Sequence, residues 1–189
     1  AKLGPVYRLN PHNFFKAGTD SFDPCGNIKA AVKLSGSVRA SAMELANILW
    51  AEAPEKSDSW TITGARQFFC GFACETAVNR PDDCTLTEAY LFGERGNDEI
   101  LADLEAMADS TAAGDVAGFA RKYISMIQSA PKQWEAIRDT YSQALAAYAP
   151  GERYATVTAP GGIDVEKIKG TVATIYLIGD GSSALVDGP

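Results

Sequence analysis

The chain is poor in the residues on which chemistry is usually built. It holds one histidine, His12, and four cysteines, no two of them in the C-x-x-C spacing of a zinc or redox motif. It has no G-x-x-x-x-G-K-[ST] loop, whose backbone N–H groups would wrap the phosphates of a nucleotide. The nearest glycine cluster, Gly93-Glu94-Arg95-Gly96, lacks the lysine and reads as a turn. Nucleophilic catalysis usually needs a histidine base, and His12 stands in a Pro/Asn loop, where a solvated side chain is the expectation. No apolar run reaches the roughly 18 residues of a membrane-spanning helix. No residue is therefore assigned a catalytic, cofactor-binding or metal-ligating role.

Positive charge is also scarce. Lys and Arg number 17 against 24 Asp and Glu, a net charge of −7, and the basic residues do not cluster. DNA affinity comes largely from cations that neutralise phosphates, so this segment alone is a poor DNA ligand. Basic peptides or basic protein tails are the better electrostatic match. Hydrophobic and charged contents of 46% and 22% are globular values and argue against disorder. The start, Ala1-Lys2-Leu3, has neither an initiator Met nor a signal-like apolar region, and points to a processed chain or a piece of a longer one. Cys70 and Cys74 are four apart and share a helix face. With no histidine near them they read as small buried hydrophobes and reduced thiols.

What is present is helical periodicity framed by two short strands. The first is predicted over 5–10. Residues 11–36, rich in Gly, Pro, Asn, Asp and Ser, read as loop. Ser37 is the expected N-cap of a helix carrying Val38, Ala42, Leu45, Ala46 and Leu49 and closed by Pro54. The next helix, 58–79, starts near Ser57-Asp58-Ser59 and is apolar around most of its circumference (Phe68, Phe69, Phe72, Ala73, Ala77), so it is the expected centre of the bundle. Thr85 and Glu88 form a capping-box pattern. Asn97 or Asp98 is expected to cap an acidic helix that carries Asp98, Glu99, Asp103 and Glu105 outside and Ile100, Leu104 and Met107 inside. Asp115 begins the next helix. Pro131 suits the first turn of the last one, which runs through Trp134, Ile137, Tyr141, Leu145 and Tyr148. A connector over 151–162, with a short extended piece at 154–157, leads to a lead-in and basic turn at 162–170. A buried strand at 172–178 and a Gly/Ser-rich tail at 179–189 follow.

These residues together resemble the coupling-protein ATPases of type IV secretion and bacterial conjugation systems (TraG/TraD-like). The resemblance rests on Val6-Tyr7-Arg8-Leu9-Asn10-Pro11, on Ser21-Phe22-Asp23-Pro24, on the Ala-rich stretch 40–51, on Ser59-Trp60 and on Thr85-Leu86. It extends to Ile163-Asp164-Val165-Glu166-Lys167-Ile168 and the return strand Ile175-Tyr176-Leu177-Ile178, in the same order across nearly the whole chain. It departs from the family pattern at Cys25-Gly26, at Ser59 in place of a histidine, and at Gly179-Asp180 after the return strand.

The resemblance implies a mainly α fold, a helical bundle inserted between two strands of an incomplete RecA-like α/β domain. Residues 1–36 would be a flanking strand and loop of the nucleotide-binding domain. Residues 37–150 would be the all-alpha domain, and 151–189 a connector and return strand. The parent would be a hexameric translocation ATPase at the bacterial inner membrane, using ATP and Mg bound outside this segment, with the helical domain on the cytoplasmic side. The implied function of this segment is not enzymatic. It is the docking of relaxase or effector proteins that bear C-terminal signals. The alternative is a structural or adaptor-binding role in the same ATPase without direct cargo contact. Such signals can be basic, so the candidate cargo contacts are Asp98, Glu99, Asp103 and Glu105, joined by Trp134, whose place in a first helical turn predicts partial exposure. A charge run of this kind is also what any solvated helix face shows.

Overall fold

The computed structural model describes residues 4–51, 59–111, 115–164, 168 and 170–179. It divides into two units, Pro24–Ala149 and a second made of Ala1–Asp23 with Pro150–Pro189. The first unit is all helical: α1 (Gly26–Lys33), α2 (Val38–Leu49), α3 (Ser59–Asn79), α4 (Leu86–Glu94), α5 (Asn97–Ala108), α6 (Val116–Ser129) and α7 (Pro131–Leu145), closed by a 3-10 turn at Ala146–Tyr148. Three start signals act where the sequence places them. The Ser37 hydroxyl accepts from the Ala40 N–H at 3.2 Å. The Thr85 hydroxyl accepts from the Glu88 N–H at 3.1 Å, and Pro131 occupies the first turn of α7, where its missing N–H costs nothing. Pro54, Ser57 and Asp58 lie outside the described residues.

Helix α3 is the hub. Positions 68–74 are buried without exception, and α1, α2, α6 and α7 all pack on this helix. Phe68 sits at the centre of an aromatic cluster. Its ring centroid lies 5.3 Å from Phe92 on α4, and 5.0 Å from each of Tyr123 on α6, Trp134 on α7 and Tyr141 on α7. Three of these contacts are edge-on, the arrangement that pairs positive ring edges with negative faces. The polar tips are satisfied: Tyr123 donates to the Gly64 carbonyl at 2.6 Å, and Tyr141 to that of Ala89 at 2.7 Å. Glycine is required where these helices meet. A Cβ at Gly93 would come within 2.5 Å of the Tyr141 ring, which the cluster holds on every side.

All four cysteines are buried and none forms a disulfide. The thiol hydrogen bond with Cys70 and burial both hold the Cys74 thiol above its usual range, in keeping with small core hydrophobes.

The second unit carries the strands β1 (Val6–Leu9) and β2 (Thr174–Leu177), paired parallel in the register Val6↔Thr174 to Leu9↔Leu177. Two strands of one sheet thus stand at the two ends of the helical stretch. The outer edge of β1 is closed by its own chain. Arg8 donates its N–H to the Asp20 carboxylate at 2.7 Å, and its carbonyl accepts from the Asp20 N–H at 2.6 Å. Asn10 is buried and fixes the loop that follows. Its amide donates to the carbonyls of Phe14 and Gly18, and its side-chain oxygen accepts from the Phe14 N–H.

Several expectations are corrected. Loop residues 11–36 contain a turn at Phe14–Lys16 and the helix α1. That helix is short, opens on Gly26-Asn27 and buries only Ile28, so its periodicity is hidden by loop-like composition. The cap of α5 is Gly96 rather than Asn97 or Asp98, and α7 gives way to a 3-10 turn before Tyr148. Residues 154–157 are not extended but belong to a one-turn helix, α8 (Arg153–Val157). The return strand is not buried: every residue of β2 is exposed. Val165, Glu166, Lys167, Lys169 and the tail from 180 lie outside the described residues.

Two outcomes test this core. Phe68→Ala removes the ring that four others touch, and should destabilise the helical unit by about 3–5 kcal/mol in chemical denaturation. A change within about 0.5 kcal/mol would mean that the cluster does not hold the helices together. Burial raises the pKa of both Tyr123 and Tyr141. The folded state therefore keeps these protons more tightly than the unfolded chain does. The stability linked to them is complete below the unfolded tyrosine pKa of about 10 and is lost as pH rises above it. Denaturation midpoints should fall through that alkaline range, and Tyr141→Phe should fall less steeply than the parent.

Candidate functional site

Helix α5 begins where the chain turns at Gly93–Asn97, and α7 holds that turn. Arg138 donates from Nε to the Gly93 carbonyl at 2.8 Å, from Nη2 to the Arg95 carbonyl at 2.7 Å, and from Nη1 to the Asn97 side-chain oxygen at 3.2 Å. The same oxygen accepts from the Trp134 indole N–H at 2.9 Å. Trp134 and Arg138 are one helical turn apart, so they reach the turn together. On the other side α5 buries Ile100, Leu104 and Met107 and packs chiefly on α6. The carboxylate face is thereby fixed outward.

That face is less uniform than its sequence implies. Asp98 and Glu105 are exposed and make no ion pair among the described residues. Glu99 is exposed but turns back to accept from the Gly96 N–H at 3.0 Å, the reciprocal half of a capping box in which glycine supplies no side chain. Asp103 is half-buried and ion-paired with Arg95, whose guanidinium lies 5.6 Å from the centre of the Phe92 ring. Two of the four candidate carboxylates therefore serve α5 itself, and two are free for a ligand.

Trp134 does not line this face. It is fully buried, with edge-on contacts to Phe68 and Tyr123. The expectation of partial exposure fails because α7 packs along α3 from its first turn, and the aromatic cluster closes over the ring. Its polar tip still acts at the site, through Asn97.

Arg138, Asn97 and Arg95 are the residues that sequence reasoning missed. The available signal was the spacing of Trp134 and Arg138, which puts a cation beside a tryptophan on one face of α7.

Among the described residues no group of three or more His, Cys, Asp or Glu is placed to hold a metal ion. No helix among them is long and apolar enough to cross a membrane. Comparison with protein-family models and with curated proteins gives no match.

If Arg138 positions the acidic helix, Arg138→Met keeps much of the stem packing and leaves two carbonyls without their donor. A loss of about 2 kcal/mol is expected in urea denaturation, together with larger amide shifts in the first turn of α5 than elsewhere. Unperturbed α5 amides would show that the turn holds itself.

Proposed function

We propose that the helical unit is the substrate-recognition domain of a type IV secretion coupling protein, docking relaxase or effector proteins for translocation. One observation carries the reading. The chain enters and leaves the helical stretch through two parallel neighbours in a single sheet, and β2 is exposed at every residue. Parallel sheets are normally covered on both faces, and a lone strand pair is marginal in water. A helical insertion between strands of a larger α/β domain accounts for both facts. The motif resemblance supplies the identity of that domain.

In this reading α5 presents Asp98 and Glu105 to a basic segment of the cargo, while Asp103 and Glu99 keep the helix in shape. Docking is reversible and positions cargo for a motor supplied by the rest of the ATPase. A second reading is favoured by the internal use of Asp103 and Glu99. A face half neutralised by its own helix also suits a structural or adaptor-binding domain that makes no cargo contact.

The test is titration of a basic C-terminal peptide, from a relaxase or effector encoded alongside this chain, at low and at high salt. Asp98→Asn combined with Glu105→Gln should weaken binding by about two- to tenfold at low salt. The difference should shrink at high salt, because exposed charges are screened beyond about 8–10 Å. Equal affinity of variant and parent at low salt would remove α5 from the docking surface. No peptide binding by either protein would favour the structural reading.

A further inference from the structure

The strand-bearing unit carries an open surface pocket of about 330 Å³, lined by the buried Asn10, the half-buried Thr19 and the exposed Asn13 from the loop after β1, and by the exposed Glu152, Arg153 and Thr156 from α8 and the residue before it. Its place is informative. Asn10 directly follows Leu9, the last residue of β1, so the pocket opens beyond the carboxyl end of a parallel strand. That end of an open parallel sheet is where ligands gather, because the loops there are free to shape a crevice.

The lining chemistry is sorted. The groups that build the walls are already used. The Asn10 side chain bonds Phe14 and Gly18, and the Thr19 hydroxyl accepts from the Asn10 N–H at 2.9 Å while donating back to backbone. The Asn13 side-chain oxygen accepts from the Gly18 N–H at 3.1 Å. This leaves the Asn13 amide N–H groups as donors with no acceptor among the described residues.

Arg153 donates one N–H to His12 Nδ1 at 2.6 Å, and the His12 ring is braced by stacking on Phe14 at 5.4 Å. A guanidinium has five N–H donors, so Arg153, an exposed residue with one N–H on His12, keeps most of its donors for solvent or a ligand. No carboxylate neutralises it among the described residues, although Glu152 precedes it. The loop that carries Asn13 also holds three non-glycine residues in the left-handed region, Asn13, Phe15 and Lys16, and backbone of that kind persists where the surroundings enforce it.

We infer that this pocket binds a small oxyanion, a phosphate or a carboxylate group, with Arg153 as the charge partner and Asn13 and Thr156 as neutral donors. A planar guanidinium suits paired oxygens of either group. Glu152 at the same pocket opposes the anion and keeps affinity modest. The site is independent of the α5 face and of any cargo.

The experiment is amide chemical-shift titration of the whole 189-residue chain with inorganic phosphate, and separately with acetate, each against sodium chloride at matched ionic strength. Saturable shifts confined to Gly18, Thr19, Gly151 and Thr156 are expected from at least one of the two. Phosphate alone, or both, identifies the group taken. Arg153→Gln should weaken the binding by about tenfold, and Thr156→Val by a few-fold. Glu152→Gln should tighten it by about twofold, a gain that misfolding could not produce. Shifts that merely follow ionic strength, or binding unchanged in Arg153→Gln, would overturn the proposal, as would weaker binding in Glu152→Gln.

Discussion

The helical unit depends on one packing constraint: four helices meet at the ring of Phe68. A side chain on α3 touches aromatic rings from α4, α6 and α7 at once. The orientation of three of the four partners is then fixed by a hydrogen bond. Tyr123 and Tyr141 end on carbonyls, Trp134 ends on Asn97, and Gly93 admits the Tyr141 ring. Rings bury large areas and keep few rotamers, so such a cluster specifies angles as well as contributing free energy. The position of the acidic face follows from it. Trp134 anchors α7, the Trp134–Arg138 face of α7 holds the turn at Gly93–Asn97, and that turn sets the direction of α5.

The strand-bearing unit is built on the opposite principle. Its polar groups are carefully paired around Asn10, Thr19 and Asp20, and Val157 and Ile163 are buried, yet the apolar side chains of β2 are not covered. Ile175, Tyr176 and Leu177 are exposed, Leu177 at 79%. One outer edge is closed by Asp20, and the other carries no strand among the described residues. An edge of that composition invites another strand. The contrast between a self-sufficient core and an uncovered sheet is the physical basis for reading the helical unit as an insertion.

Much of this was legible in the sequence, and the failures have common causes. The all-round apolar pattern of residues 58–79 marked the central helix, because burial on every face leaves no polar stripe. Ser37, Thr85 and Pro131 marked helix starts through chemistry local to the backbone. Proximity of the two strands was implied by the resemblance, which places both in one α/β domain. What escaped depended on distant partners. Trp134 looked half-exposed from its place in a first turn, but burial there is decided by Phe68 and Tyr123. The acidic run looked uniform, but Arg95 and the Gly96 N–H claim two of its carboxylates. The α1 helix escaped because Gly26 and Asn27 carry loop chemistry into its first turn, and β2 looked buried because its residues are apolar.

Native-state hydrogen exchange on the whole chain measures the claimed contrast most directly. Amides of α3 near Phe68 are expected to exchange only through global unfolding of the helical unit, and those of β1 and β2 orders of magnitude faster, through local opening of an uncovered strand pair. Strand amides protected as strongly as those of α3 would contradict this, because the sheet would then need no further covering and the insertion reading would lose its physical ground.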